Sequence, residues 1–225
     1  MHELLPQKGL RIGNSIVIAD LHIGYEESMA KEGVYLPKVF KQMLDSIVAL
    51  LKEERPKRLI INGDLKHSFT PLRREKFELK AFFEHTLPFV EEVVVVRGNH
   101  DVGISWIRGL GVEIVDEIDL KGWKIVHGHK LVEGEKFIIG HEHPAIRLRD
   151  EVGALIKVPI FLVGETLIVL PAFSPWAYGN DILREIVSPF LKHIELSGFE
   201  VFVPLEKELL SFGKLGDLIR ALQRI

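Results

Sequence analysis

Residues 93–101 read VVVVRGNHD: four consecutive valines, then Arg97, then the polar tetrad Gly98, Asn99, His100 and Asp101. Four β-branched residues in a row suit a strand buried on both faces, which has no need to alternate apolar with polar side chains. The tetrad marks the carboxyl end of that strand, where open α/β sheets gather their ligand sites. Toward the amino end, Arg73 to His85 reads as a helix, and Arg58 to Asn62 is a second apolar run that breaks at Gly63-Asp64. Earlier still, Lys38 to Glu54 sets Val39, Met43, Leu44, Ile47, Val48 and Leu51 at helical spacing, and Ile16 to Ala19 is a third β-branched run, ending in Asp20. This βαβαβ rhythm predicts a largely parallel sheet covered on both faces. The α/β part is expected to end near Leu110.

Beyond it the texture changes. Lys124 to Val126, Lys136 to Ile139, Ile146 to Leu148, Ile156 to Val163 and Thr166 to Leu170 are short β runs at close spacing. They are expected to pair as hairpins in a second sheet, with a tight turn at Gly164-Glu165-Thr166. Gly198 to Val203 supplies a further strand, and Lys214 to Gln223 a terminal helix with Leu215, Leu218, Ile219 and Leu222 on one face. No repeat, low-complexity tract or linker divides the chain, so residues 1–225 are expected to form a single domain of two packed sheets.

Composition narrows the chemistry. The 225 residues, 47% hydrophobic and 27% charged, suffice for a sizeable core. Lysine and arginine total 29 against 32 acidic residues, a net charge of −3, so no global basic field exists to hold nucleic acid non-specifically. The absence of cysteine excludes disulfides, zinc–thiolate sites, iron–sulfur clusters and cysteine nucleophiles. The start, MHELLPQKGLRIG, carries no signal-peptide pattern, and no apolar stretch is long enough to span a bilayer. A cytoplasmic protein with no membrane association is the expectation. Six of the 10 histidines fall inside short glycine-containing motifs.

Five runs end in clusters of potential metal ligands: Asp20-Leu21-His22, Gly63-Asp64, Gly98-Asn99-His100-Asp101, His127-Gly128-His129 and His141-Glu142-His143. In extended chain, residues two apart point to the same side, so Asp20 with His22, and His141 with His143, can each grip one ion. Asp64 can bridge two cations with its two oxygens, while the Asn99 oxygen is a neutral ligand that leaves an ion Lewis-acidic. Two ions about 3.5–4 Å apart clamp the attacking and leaving oxygens of a phosphoryl displacement.

These motifs, in this order over residues 20 to 143, resemble those of the calcineurin-like metallophosphoesterases. The resemblance implies a two-sheet β-sandwich flanked by helices, a four-layer αββα architecture within the α/β class. It implies that Asp20, His22, Asp64 and His143 hold one metal and Asp64, Asn99, His127 and His141 the other, with His127 rather than His129 as ligand. His100 is then the natural general acid, with Asp101 orienting its imidazole. Gly63-Asp64-Leu65-Lys66-His67-Ser68 is similar to a stretch of the SbcD-type DNA repair nucleases, a resemblance that implies His67 as a candidate substrate residue. The segment Pro171-Ala172-Phe173-Ser174-Pro175 is similar to small SbcD-related phosphoesterases, although no DNA-capping domain follows the core.

The expected activity is a two-metal phosphodiesterase or nuclease working by in-line attack of a metal-bridging hydroxide. The alternatives are a phosphomonoesterase or nucleotide pyrophosphatase on a small substrate, or a catalytically silent scaffold. Manganese is the first choice of metal, because the donors mix imidazole with carboxylate and carbonyl oxygen, with iron, zinc and nickel as the other options. The expected partners are a phosphate ester, a single-stranded nucleic acid and DNA repair proteins. His129, Arg73 and Arg74, with Lys76 beside them, are candidate substrate contacts. Lys52, Arg55, Lys57 and Arg58 read as a solvated helix end, and Tyr25, Tyr35, Trp106 and Trp176 as packing residues before base-stacking ones.

Overall fold

Single-residue alternation along the buried strands sets the layering. The computed structural model describes residues 2–70, 72–149, 153–177, 179–205 and 207–223. Its amino-terminal half contains β1 (His2–Leu5), β2 (Gly9–Ile12), β3 (Ser15–Ile18), α1 (Tyr25–Lys31), α2 (Phe40–Glu54), β4 (Arg58–Asn62), α3 (Arg73–Thr86), β5 (Glu92–Val96) and β6 (Glu113–Val115). The six strands form one sheet in sequence order, with β3 to β6 parallel and β1 and β2 added antiparallel at one edge.

Ile16, Ile18, Leu59, Ile61, Val93 and Val95 point one way, into a core shared with Met43, Leu44, Ile47, Leu79, Phe82 and Phe83 of the helices. Val17, Ala19, Ile60, Val94 and Val96 point the other way, onto a second sheet. The valine run therefore fills two cores at once, because successive strand side chains face opposite sides.

The carboxyl-terminal half contributes β7 (Ile118–Leu120), β8 (Trp123–Ile125), β9 (Phe137–Ile139), β10 (Pro144–Arg149), β11 (Leu155–Pro159), β12 (Phe161–Val163), β13 (Leu167–Val169), β14 (Asn180–Asp181), β15 (Glu200–Pro204), β16 (Leu209–Lys214) and α4 (Leu215–Leu222). Seven of these strands form the second sheet, in the order β16-β15-β12-β13-β9-β8-β7. Trp123, Ile125, Ile138, Phe161 and Ile168 meet the first sheet, while Val126, Ile139, Leu162, Val169 and Val201 pack outward with Leu215 and Leu218 of α4. The result is the expected two-sheet sandwich between helices.

Three expectations need correction. The first sheet runs past Leu110 to Val115, because β6 is only three residues long and carries too little pattern to register. Ile156 to Val163 is not one strand: β11 ends at Pro159 and pairs with β10 in a third, three-stranded sheet, while β12 joins the second. The second sheet is not purely hairpins, since β8 with β9, and β9 with β13, run parallel. The turn at residues 164–166 does join antiparallel β12 and β13. Two members of the basic cluster pair with surface carboxylates, Lys57 with Glu91 and Arg58 with Glu92. Among the described residues no helix is long and apolar enough to cross a membrane.

Candidate metal centre

β3, β4 and β5 of the first sheet and β8 and β9 of the second all end at loops whose side chains interlock. Asp20, His22 and His143 bring one donor atom each within 4.8 Å of one another, and so do Asp64, His127 and His141. Asp64 faces both groups: its Oδ2 lies 3.3 Å from His127 Nε2 and 3.8 Å from His22 Nε2. Asn99 Oδ1 lies 3.0 Å from His127 Nε2. The seven residues expected to bind metal therefore lie together, but His141 and His143 do not share one group as their two-residue spacing suggests: His143 joins Asp20 and His22, and His141 joins Asp64 and His127, because both histidines have positive φ rather than extended backbone. The donors are imidazole nitrogens and oxygens with no sulfur, which fits divalent cations of intermediate hardness.

Backbone strain concentrates at the same place. Among the described residues, eight that are not glycine have positive φ, and five of these are Asp20 (56°), His22 (45°), Asp64 (45°), His141 (64°) and His143 (47°). Such conformations cost on the order of 1–3 kcal/mol each and persist only where the surroundings fix them. Here they do. The Asp20 amide donates to Gly63 O at 3.2 Å and the His22 amide to Asp64 O at 2.9 Å, joining the loops after β3 and β4. The segment 171–175 lies alongside, its Phe173 and Ser174 amides donating to Ala19 O and Asp20 O. The Asp20 carboxylate accepts the His141 amide at 3.1 Å.

Glu142, between the two histidines, has a fully buried carboxylate that accepts the amides of Val187 (3.0 Å) and Ser188 (2.6 Å). It ties the histidine loop to the chain near residue 188, whose Ser188 hydroxyl in turn donates to Gly128 O at 2.8 Å. Glu142, one of the potential ligands by residue type, thus binds main-chain amides instead of facing the donor groups. The only sequence signal of this role was an acidic residue enclosed by two candidate ligands.

Two glycines in the motifs are required by contact. A Cβ on Gly63, already at φ +79°, would fall 2.0 Å from His127 Nδ1, and one on Gly98 would fall 2.2 Å from Asp64 Oδ1 and 2.3 Å from Asp64 N. Gly98→Ala is expected to push Asp64 aside while leaving the cores intact. The expected loss is about 10- to 100-fold in activity, the usual range for groups that orient metal ligands. Phosphatase kinetics with metal analysis by mass spectrometry checks this.

His67 and His100 stand beside the first group, and both form a three-imidazole cluster with His22. His67 Nδ1 lies 3.3 Å from His22 Nδ1. His100 Nδ1 lies 2.5 Å from the His67 carbonyl, so it carries a proton there and leaves Nε2 as the exchanging nitrogen. This corrects the expected role of Asp101. Its buried carboxylate accepts the amides of Gly98 (2.8 Å) and Lys66 (3.2 Å) and makes no bond to the His100 ring. Two main-chain donors within reach outcompete a ring that already has a carbonyl. Asp101 thus shapes the loop after β5, and the His67 carbonyl sets the His100 tautomer.

His129 sits at the far side, its ring 5.3 Å from His127 and 6.1 Å from His141, without joining either ligand group. Arg73 and Arg74 lie apart from these groups, on α3, lining a groove of about 680 Å³ with Glu27, Phe40, Phe77 and Glu78. Arg74 is engaged by Glu78 at 2.7 Å. The expected basic strip is therefore interleaved with carboxylates, which weakens it as a guide for phosphates.

Burial, reinforced by the charge of His143, lowers His22 to about 3. Burial and His127 lower His141 to about 4, and burial and His100 lower His67 to about 4. These three imidazoles are neutral at pH 7, as ligands need to be. His127 and His143 go the other way: burial opposes the charge of each, but the hydrogen bond to Asp64 and the charges of Asp20 and Asp64 raise His127 to about 9, and the charge of Asp20 and a hydrogen bond to it raise His143. Asp64, though also buried, is held below the ordinary carboxylate range by His127 and His22.

The metal-free protein thus holds a proton on His127 that a cation must displace. A raised folded-state pKa stabilises the metal-free fold fully below about 6.5, and that contribution is lost as pH rises through about 9. Metal affinity runs the opposite way, increasing with pH up to about 9, and binding at pH 7.5 is expected to release about one proton. Calorimetric titration with Mn²⁺ in buffers of different ionisation enthalpy measures this directly. No proton release would contradict the His127 assignment.

Comparison with known proteins places this geometry. A family model described as calcineurin-like phosphoesterase matches residues 14–191. Among solved structures, nuclease MPE from Pseudomonas putida aligns over 93% of both chains at 22% identity and a TM-score of 0.69, which establishes a shared fold. A predicted phosphoesterase from Streptococcus pneumoniae TIGR4 aligns over 89% of this chain and 97% of its own, at 15% identity and a TM-score of 0.34. A protein of unknown function from Aquifex aeolicus covers 56% of this chain and 77% of its own, at 20% identity and a TM-score of 0.39. No curated protein matches the sequence.

Proposed function

The chain belongs to the calcineurin-like phosphoesterase family and is a metal-dependent phosphoric ester hydrolase, and we propose that it is a two-metal phosphodiesterase acting on single-stranded nucleic acid. The observation that carries this reading is the position of Asp64, whose carboxylate faces two separate donor groups, Asp20 with His22 and His143, and His127 with His141. Asn99 completes the second set. Manganese is the preferred ion for this mixture of imidazole and oxygen donors. When bound, the two ions supply Lewis acidity to the phosphate oxygens and acidify the attacking water.

The protein's own groups handle the rest. His100, its Nδ1 fixed on the His67 carbonyl at 2.5 Å, presents Nε2 to the departing oxygen and gives it a proton. His67, neutral at working pH, offers an uncharged imidazole to the phosphate from beside His22. Asp101 holds the loop that carries both Asn99 and His100. The nuclease named among the comparisons has the same fold over 93% of each chain, and this agrees with a nucleic-acid substrate.

The test is a substrate panel with Mn²⁺: bis-p-nitrophenyl phosphate, p-nitrophenyl phosphate, and single- and double-stranded DNA. The expected result is diester and single-strand cleavage, with the monoester at least about tenfold slower. Preference for the monoester would overturn the diesterase reading. His67→Ala is expected to lower diester turnover while sparing the monoester.

A further inference from the structure

Beside His100 stands an aromatic side chain that the mechanism above does not use. Phe69 is 57% exposed, whereas Phe82, Phe83 and Phe161 are fully buried. Its ring centroid lies 4.3 Å from that of His100, with the planes 31° apart. His100 in turn stacks on His67 at 5.2 Å and 21°, and His67 meets Tyr25 at 4.5 Å. Four rings thus follow one another along the edge of the metal centre, and Phe69 is the exposed end.

The segment that presents Phe69 is fixed on both sides. The Ser68 amide donates to the buried carboxylate of Glu75 at 2.9 Å, the buried Lys66 ammonium donates to Ser68 O, and Ser68 Oγ lies 3.3 Å from Thr70 Oγ1. A ring whose backbone is tied down in this way, and which already rests on His100, loses less freedom when a ligand covers it. A nucleobase offers a flat π-face to such a ring, and aromatic stacking of this kind tolerates any base. A compact phosphate ester has nothing to place there.

Resting on the nucleic-acid reading above, we propose that Phe69 is the stacking platform for the base of the leaving nucleoside, and so a specificity-determining residue that favours a strand over a small ester. The side is set by His100, since the ring adjoining the proton donor for the departing oxygen is positioned for the nucleoside that bears that oxygen. The base on the attacked side has no contact with Phe69.

The experiment uses single-stranded oligonucleotides scored for cleavage at one phosphate, with a natural base or an abasic residue placed on either side of it. Wild-type protein is expected to cut the natural strand about 5- to 150-fold faster, in kcat/KM, than the strand abasic on the leaving side. Removing the base on the other side should have a much smaller effect. Phe69→Ala should bring the leaving-side ratio close to one while cutting the abasic strand at nearly the wild-type rate, and Phe69→Trp should restore the ratio. Equal losses by Phe69→Ala on natural and abasic strands would mean that Phe69 only supports His100, and would overturn the proposal. So would a wild-type ratio near one. A wild-type protein that hydrolyses bis-p-nitrophenyl phosphate but no oligonucleotide would instead sink the nucleic-acid reading on which the proposal rests.

Discussion

Asp64→Asn is expected to lower kcat/KM on every substrate by at least about 10³-fold, beyond the 10- to 100-fold seen when an outer orienting group is lost. The reason is geometric as well as electrostatic. Asp64 Oδ1 accepts the His100 amide at 2.9 Å, while Oδ2 faces His127 and His22. An asparagine amide has one oxygen and one NH₂, so one of these directions must receive N–H where an acceptor is needed. If the oxygen keeps the His100 amide, the NH₂ points at the cation sites; if it turns inward, two N–H groups collide. The variant also removes the charge that helps keep His127 protonated, so proton release on Mn²⁺ binding at pH 7.5 should shrink. Metal analysis should find fewer than two ions per chain. A variant with two ions and near-wild-type activity would exclude Asp64 as the shared ligand.

His100→Ala is expected to cost about 10²- to 10⁴-fold on oligonucleotides, the usual contribution of a positioned general acid. The same change should cost far less on p-nitrophenyl esters, whose leaving group departs without a proton. Metal content should not change, because the contact of residue 100 with Asp64 is made by its main-chain amide, which alanine keeps. Unequal losses across leaving groups therefore separate proton donation from general damage to the site. If alkoxide and nitrophenolate esters lost equally, the proton would have to come from elsewhere.

Much of the site was legible because its chemistry is written in short motifs after apolar runs. Residue type and strand position marked the five clusters, the family resemblance singled out Asp20, His22, Asp64, Asn99, His127, His141 and His143 within them, and these seven lie together in the structure. Periodicity likewise carried the valine strand, α2 and α3. What escaped depends on contacts between residues far apart in sequence. The pairing of Asp101 with the Gly98 and Lys66 amides, rather than with the His100 ring, is settled by which donors the loop places nearest. Glu142 acts through amides 45 and 46 residues away, and no local pattern encodes that. The division of Ile156 to Val163 between two sheets depends on partners distant in sequence, β10 for its first part and β13 and β15 for its second, which an apolar run does not disclose. The stacked rings around His100 come from the start of α1 and the loops after β4 and β5, so no single helical or strand spacing could disclose them.

The central claim is that these loops hold two cations with Asp64 between them. Anomalous diffraction from Mn²⁺-soaked crystals, recorded on both sides of the manganese edge, tests it most directly. Two peaks are expected, one among Asp20, His22 and His143 and the other among Asn99, His127 and His141, with an oxygen of Asp64 against each. A single peak, or peaks ligated by other residues, would contradict it.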